Sequence, residues 1–181
     1  MTKIIAPIAL LLLGLSAILV GCTAANSAQE KDVETIEAML TQQFTGPDQK
    51  MMELLNDPDH VTVIGLGETK RPEEPNELEQ YLEATYHPYF TDQEYEDFIG
   101  AFAMAPHVFG EADAYQFEVE QVIVKDVEAT DGAYDFTVEI RYEKDGTEEN
   151  TQVSGRINVN EEGKISRYRP IDDGLMEVLQ R

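Results

Sequence analysis

The stretch Ala133–Glu143, AYDFTVEIRYE, alternates apolar and polar side chains from end to end. Tyr134, Phe136, Val138, Ile140 and Tyr142 fall on one face, and Asp135, Thr137, Glu139 and Arg141 on the other. A period of two marks a strand with one buried face. Asp131-Gly132 precedes it and Asp145-Gly146 follows it, and both are hairpin-turn pairs. The neighbouring segments are therefore antiparallel partners, because connections this short leave no room for a crossover helix. Upstream, AYQFEVEQVIVKDVEA (114–129) places Tyr115, Phe117 and Val119 in one phase and Val122 and Val124 in the other. Such a slip predicts either a β-bulge or a strand buried on both faces. Downstream, NTQVSGRINV (150–159) puts Val153, Gly155, Ile157 and Val159 on one face. After Glu162-Gly163, KISRYRPI (164–171) reads as a final mixed strand.

The preceding half has helical period. Val33, Ile36, Leu40 and Phe44 space a helix that starts near Ser27 or Glu30 and ends before Gly46. Pro47 suits a first helical turn, so MMELL (51–55) belongs to a second helix ending at Asn56. His60 to Ile64 reads as a short strand, and Arg71 to Pro75 as a stiff connector. Asn76 with Glu79 caps a third helix striped by Leu78, Tyr81, Leu82, Tyr86 and Tyr89, which Pro88 should end or bend. Thr91 with Glu94 forms a capping box for a fourth, burying Tyr95, Phe98, Ile99 and Phe102. Pro106 and Gly110 then close the helical half, and Leu175 to Leu179 adds a last short helix. Helices followed by an antiparallel meander define an α+β chain whose helices cover the apolar sheet face.

Cys22 is the sole cysteine among 181 residues. Lys3 precedes the apolar run Ile4 to Val20, and a small-residue, polar segment follows. That is the architecture of a secretory signal segment. The run is short for a membrane span, which takes ~20 apolar residues. Leu19-Val20-Gly21-Cys22 resembles a bacterial lipobox. The resemblance implies a diacylglyceryl thioether on Cys22 and cleavage between Gly21 and Cys22. Residues 1–21 would then be the signal peptide, residues 22–30 the lipidated cysteine and a tether, and residues 31–181 a single domain. An extended tether would lift the domain about 25 Å from the lipid. Two acyl chains hold a protein stably on a membrane, here on the outer, extracytoplasmic face of the cell membrane.

The formal charge is −23, with Asp and Glu spread along the whole chain rather than gathered in a tail. Nucleic-acid binding needs a basic face and is excluded on that ground. The acidity suits either a solvated surface or recognition of cations and basic peptides.

The order of elements resembles the nuclear transport factor 2-like fold over most of residues 31–171. The whole is also similar to small lipoproteins of Gram-positive bacteria. Members of that fold hold a pocket between helices and curved sheet, and include isomerases, dehydratases and hydrolases as well as binding and assembly modules. No serine stands in a Gly-x-Ser-x-Gly elbow. Gly65-Leu66-Gly67 lacks the third glycine of a dinucleotide fingerprint and the Gly-Lys-Ser/Thr of a phosphate loop. His60, His87 and His107 are too dispersed for a metal motif, and Asn56 to His60 lacks the glycine and final Glu of an EF-hand loop. No cofactor or metal is expected. Tyr81, Tyr86, His87 and Tyr89 either line a pocket, with His87 carrying a proton, or form a packed aromatic seam. Arg141, Arg156, Arg167 and Arg169 either bind an anion or neutralise carboxylates across strands. The expected function is a non-enzymatic binding or assembly module that meets an envelope protein or small ligand. The alternative is a pocket enzyme.

Overall fold

The computed structural model describes residues 20–57, 75–128 and 130–181, with the backbone alone at 20–26. Among the described residues six α-helices precede and follow a four-stranded meander. They are α1 (Val20–Gln43), α2 (Gln49–Asn56), α3 (Glu77–Tyr86), α4 (Asp92–Phe98), α5 (Ala105–Ala112) and α6 (Gly174–Leu179). A 3-10 turn, His87–Tyr89, links α3 to α4, and a π turn, Ile99–Ala103, links α4 to α5. The strands β1 (Gln116–Asp126), β2 (Ala133–Lys144), β3 (Thr147–Val159) and β4 (Ile165–Asp173) lie side by side in chain order, each antiparallel to the next. The chain is therefore α+β.

The alternation of β2 is realised in full. Tyr134, Phe136, Val138, Ile140 and Tyr142 are all buried, while Asp135 and Glu139 are exposed. The phase slip in β1 is a bulge: Val119 opposes Ile140 and Gln121 opposes Glu139, so Glu120 is the extra residue. Asp145 and Gly146 both take positive φ, 53° and 76°, and close the β2–β3 hairpin with the left-handed backbone a two-residue turn demands. Gly155 faces the Phe136 ring across the sheet. A Cβ there would lie 2.3 Å from the Arg169 carbonyl oxygen and 2.7 Å from that ring. Only a residue without a side chain lets Phe136 lie flat over β3.

The apolar sheet face is covered by helices. Ile36, Met39 and Leu40 of α1, and Phe44 just after it, join Phe117, Tyr134, Val138 and Ile157 in one buried cluster. A chain of rings crosses from helices to sheet. Tyr86 and Phe98 are 5.2 Å apart, Phe90 and Phe98 4.5 Å, Phe98 and Tyr168 5.5 Å, and Phe136 stacks on Tyr168 at 5.8 Å. Each such side chain contributes about 1.5–3 kcal/mol on full burial.

Four local expectations change. The helix expected to start near Ser27 or Glu30 runs from Val20, so 22–30 is helical rather than extended, and spans about 13 Å instead of 25 Å. Pro106 and Gly110 do not close the helical half. They lie within α5, where Pro106 occupies the first turn, a position that needs no backbone N–H. The capping box at α4 is only half formed. Thr91 Oγ1 accepts the Glu94 N–H, but the Glu94 carboxylate turns to β4 and accepts the Tyr168 N–H at 2.6 Å. Of the face expected to be buried by α4, Phe98 is buried, while Tyr95, with its ring against His87, and Ile99 and Phe102, in the π turn, are half-buried against the core. Asn76 and Glu79, in contrast, make the full reciprocal box at α3. The Glu94 contact and a bond from Thr91 N–H to Ile165 O (2.9 Å) cover the outer edge of β4. That blunts an edge otherwise open to pairing. The strand expected at His60–Ile64 and the glycines after it lie outside the described residues, as does most of the connector from Arg71.

Candidate functional site

The four residues singled out on the third helix do not share one wall. Tyr86 is fully buried against Phe98. Burial pushes its hydroxyl well above the ordinary tyrosine range, and Asp48, Tyr81 and Tyr89 reinforce this. Its hydroxyl lies near Gln42 without a hydrogen bond of normal geometry. Tyr81 donates its hydroxyl to Asp48 Oδ2 at 2.6 Å and is pushed up to about 12, by burial first and by the carboxylate second. His87 is turned to α4. Its Nε2 is 3.1 Å from Asp92 Oδ1, and its ring meets Tyr95 edge-on at 5.0 Å. Tyr89 is half-buried beside the core. The seam is packing with one exposed histidine at its rim.

A polar knot that local sequence reading misses sits at the Gly46–Pro47–Asp48 turn. Asp48 caps α2 through Oδ1, which accepts the Met51 N–H at 2.9 Å, while Oδ2 takes Tyr81. The Asp48 backbone N–H donates to Nδ1 of His107 at 3.1 Å. His107 is fully buried on α5, its ring 5.8 Å from Phe117, and its Nε2 has no hydrogen-bond partner. Desolvation lowers its pKa to about 4, against a small opposing pull from Asp48. The ring is therefore neutral near neutral pH, with its proton on Nε2. Gly46 exchanges two backbone bonds with Phe117, each 2.8 Å, tying the turn to β1. The partners are 59 residues apart in the chain. The available signals were the Gly-Pro-Asp turn before an apolar helix and a histidine beside a proline, and neither indicates the other.

On the outer side of the same turn lies a cleft of about 330 Å³. Thr45, Gly46 and Pro47 form one wall, and Gln116–Glu118 and Arg141–Glu143 with Glu148 form the other. Arg141 is its cationic centre. It bonds to Glu118 and approaches Glu148 at 3.6 Å and Glu120 at 3.9 Å. Glu143 and Glu148 stand directly opposite each other across the hairpin, an unfavourable like-charge pair. This surface can accept a cationic group, and the hydroxyl of Tyr142 in its wall donates to Glu149.

The other arginines divide. Arg156 makes a bidentate pair with Asp135 (2.8 and 3.1 Å), the cross-strand neutralisation expected of it. Arg167 and Arg169 are exposed, and neither makes an ion pair among the described residues.

Among the described residues no group of three or more His, Cys, Asp or Glu side chains is placed to hold a metal ion. Among them, too, no helix is long and apolar enough to cross a membrane. Cys22 and Gly21 lie in the first turn of α1.

No protein-family model matches the chain, and no curated protein matches it. Its fold is similar to the solution structure of the candidate transfer protein TraH from the Gram-positive conjugative plasmid pIP501. The TM-score is 0.50 at 13% identity, over 81% of this chain and 95% of TraH. At that identity the likeness concerns the fold.

Proposed function

We propose that this protein is a binding or assembly module without chemistry of its own, held on the extracytoplasmic face of the cell membrane by a lipid on Cys22. The scaffold is read as nuclear transport factor 2-like on its order of elements. One observation carries the module reading. The space between helices and sheet, where that fold places a reactive pocket, is filled by Tyr86, Phe90, Phe98, Phe136 and Tyr168 in ring-to-ring contact. What remains for recognition is the charged exterior. The fold neighbour is named as a transfer protein of a conjugative plasmid, which is compatible with a role in assembly.

The anchor is tested by metabolic labelling with a palmitate analogue. Cys22→Ser should lose the label and leave the membrane fraction, and a variant that keeps both refutes the anchor. The module reading is tested by assaying the full chain on isomerase, dehydratase and ester substrates. Turnover lost in His87→Ala or Tyr86→Phe at unchanged stability would replace the module with the pocket enzyme.

A further inference from the structure

We propose that this protein assembles head to tail with copies of itself, the basic, apolar stripe of β4 on one copy seating on the acidic, apolar face of α5 on the next. The inference rests on the module reading and names its partner. Among the described residues the large apolar side chains left exposed are Val108 and Phe109, 39% each, and Ile171, 72%. Both groups carry charge, and the charges are opposite.

On β4, Arg167 and Arg169 lie opposite Asn158 and Arg156, Ile171 is the extra residue where the β3–β4 register slips beside Gly155, and all three are exposed. Arg169 stands opposite Arg156 on the sheet face turned away from the helices. Arg156 is already committed to Asp135, so it neither uses nor neutralises Arg169. Two cations and an aliphatic side chain are thus exposed along one strand, with Asp172 next in sequence, on a chain of formal charge −23. On α5, Glu111 follows Val108 by three residues, which puts the two on one helix face, and Asp113 caps the helix end beyond Phe109. Asp113 has Lys144 at 4.0 Å, while Glu111 has no ion pair among the described residues.

Arg167 and Arg169 lie on the outer side of the sheet. Helix α5 lies in the helical layer, packed on α2 and α6. Neither surface is complementary to itself, because basic would meet basic and acidic would meet acidic. A two-fold contact of either patch with its own kind is therefore repelled. A heterologous contact pairs unlike patches and leaves one of each free at the ends, so it propagates. Over most of their surfaces two copies of so acidic a chain repel.

The test uses the full chain in its membrane, where Cys22 is the sole native cysteine. Phe109→Cys and Ile171→Cys are made singly and together, oxidised with copper phenanthroline and separated without reductant. The double variant should give a ladder of cross-linked species. The two single variants co-expressed should give dimers only, and each alone no more than wild type. Arg169→Glu in the double-cysteine background should weaken the ladder at least about tenfold, and Glu111→Arg added to it should restore it. Absence of dimers from the co-expressed singles overturns the proposal. So does a single variant that cross-links to itself equally well, a band to a different protein in place of the ladder, or failure of the charge swap to restore it. A missing ladder removes the second copy but leaves the module reading, which falls only on turnover.

Discussion

Lowering the pH from 7 to 4.5 should cost the fold about 2–3 kcal/mol through His107 alone. The ring is fully buried, and its pKa falls from the ordinary 6.5 to about 4 because the protein interior cannot solvate the imidazolium. Between those two values the unfolded chain binds a proton that the folded chain refuses. Protons then favour unfolding. Stability is complete above about 6.5, falls with pH through the window from 6.5 to 4, and levels off below it, after a total loss of about 3 kcal/mol. Geometry says the same. Nδ1 accepts the Asp48 N–H at 3.1 Å, so a protonated ring would set two donors face to face at the turn that starts α2.

The assay is urea unfolding at pH 7 and 4.5 of wild type and His107→Gln. Glutamine does not titrate, yet its carbonyl can still accept from Asp48. A comparison is needed because acidification also protonates the abundant carboxylates and relieves the repulsion of a chain at −23, which stabilises the fold with opposite sign. That effect is common to both proteins and cancels in the difference. His107→Gln should be less stable than wild type at pH 7 and should recover about 2–2.5 kcal/mol relative to it at pH 4.5. A difference that moves by less than about 0.5 kcal/mol across that range refutes the buried, neutral assignment.

Phe136→Ala should destabilise by about 3–5 kcal/mol, read as a lowered urea midpoint, because it removes a ring stacked on Tyr168 and laid over Gly155. Glu139→Ala, one face away and exposed, should stay within about 0.5 kcal/mol of wild type. Gly155→Ala should lower the thermal midpoint sharply, since its Cβ would meet the Arg169 carbonyl at 2.3 Å, and backbone cannot yield as a flexible side chain can. Tyr168→Phe should be neutral or stabilising in the same melt. The hydroxyl is buried beside Gln43 without a bond of normal geometry, and deleting it removes a desolvation cost with no partner lost.

The sheet was legible from residues alone because a strand's side chains alternate by local geometry. The Tyr134–Tyr142 register and the slip around Glu120 are both local statements. The reciprocal cap of Asn76 and Glu79 is local too. Thr91 and Glu94 show the same spacing, but there a strand 74 residues away offered the carboxylate a better donor, and no local rule could rank the two. Pro106 was misread because proline both ends helices and begins them, and the choice depends on what precedes it. The aromatic cluster around α3 is governed in part by local geometry. At 100° per residue Tyr81 and Tyr86 diverge by about 140° and Tyr86 and His87 by about 100° around a helix. Tyr86 accordingly enters the core while Tyr81 reaches Asp48 and His87 turns to Asp92. The Asp48–His107 contact joins segments 59 residues apart and leaves no periodic trace.

The arginines carry this argument to function. All four were expected to find carboxylates across strands or to hold an anion, and residue spacing treats them alike. Register does not. Arg141 lies opposite Glu118 and Arg156 opposite Asp135, and both are neutralised. The β3–β4 pairing slips at Ser154/Gly155 and again at Asn158/Val159, and it sets Arg169 against Arg156 and Arg167 against Asn158. Those slips cannot be read from sequence, since each depends on how two strands meet Gly155 and the turn at Gly163. They decide whether β4 ends as a neutral ladder or as a cationic edge. A chain that repels its own kind over most of its surface keeps that edge uncommitted, so charge reversal at Arg169 should alter association while leaving the urea midpoint within about 0.5 kcal/mol of wild type. If Arg169→Glu instead unfolds the sheet, the arginine serves the strand pairing and the edge is not free to recognise anything.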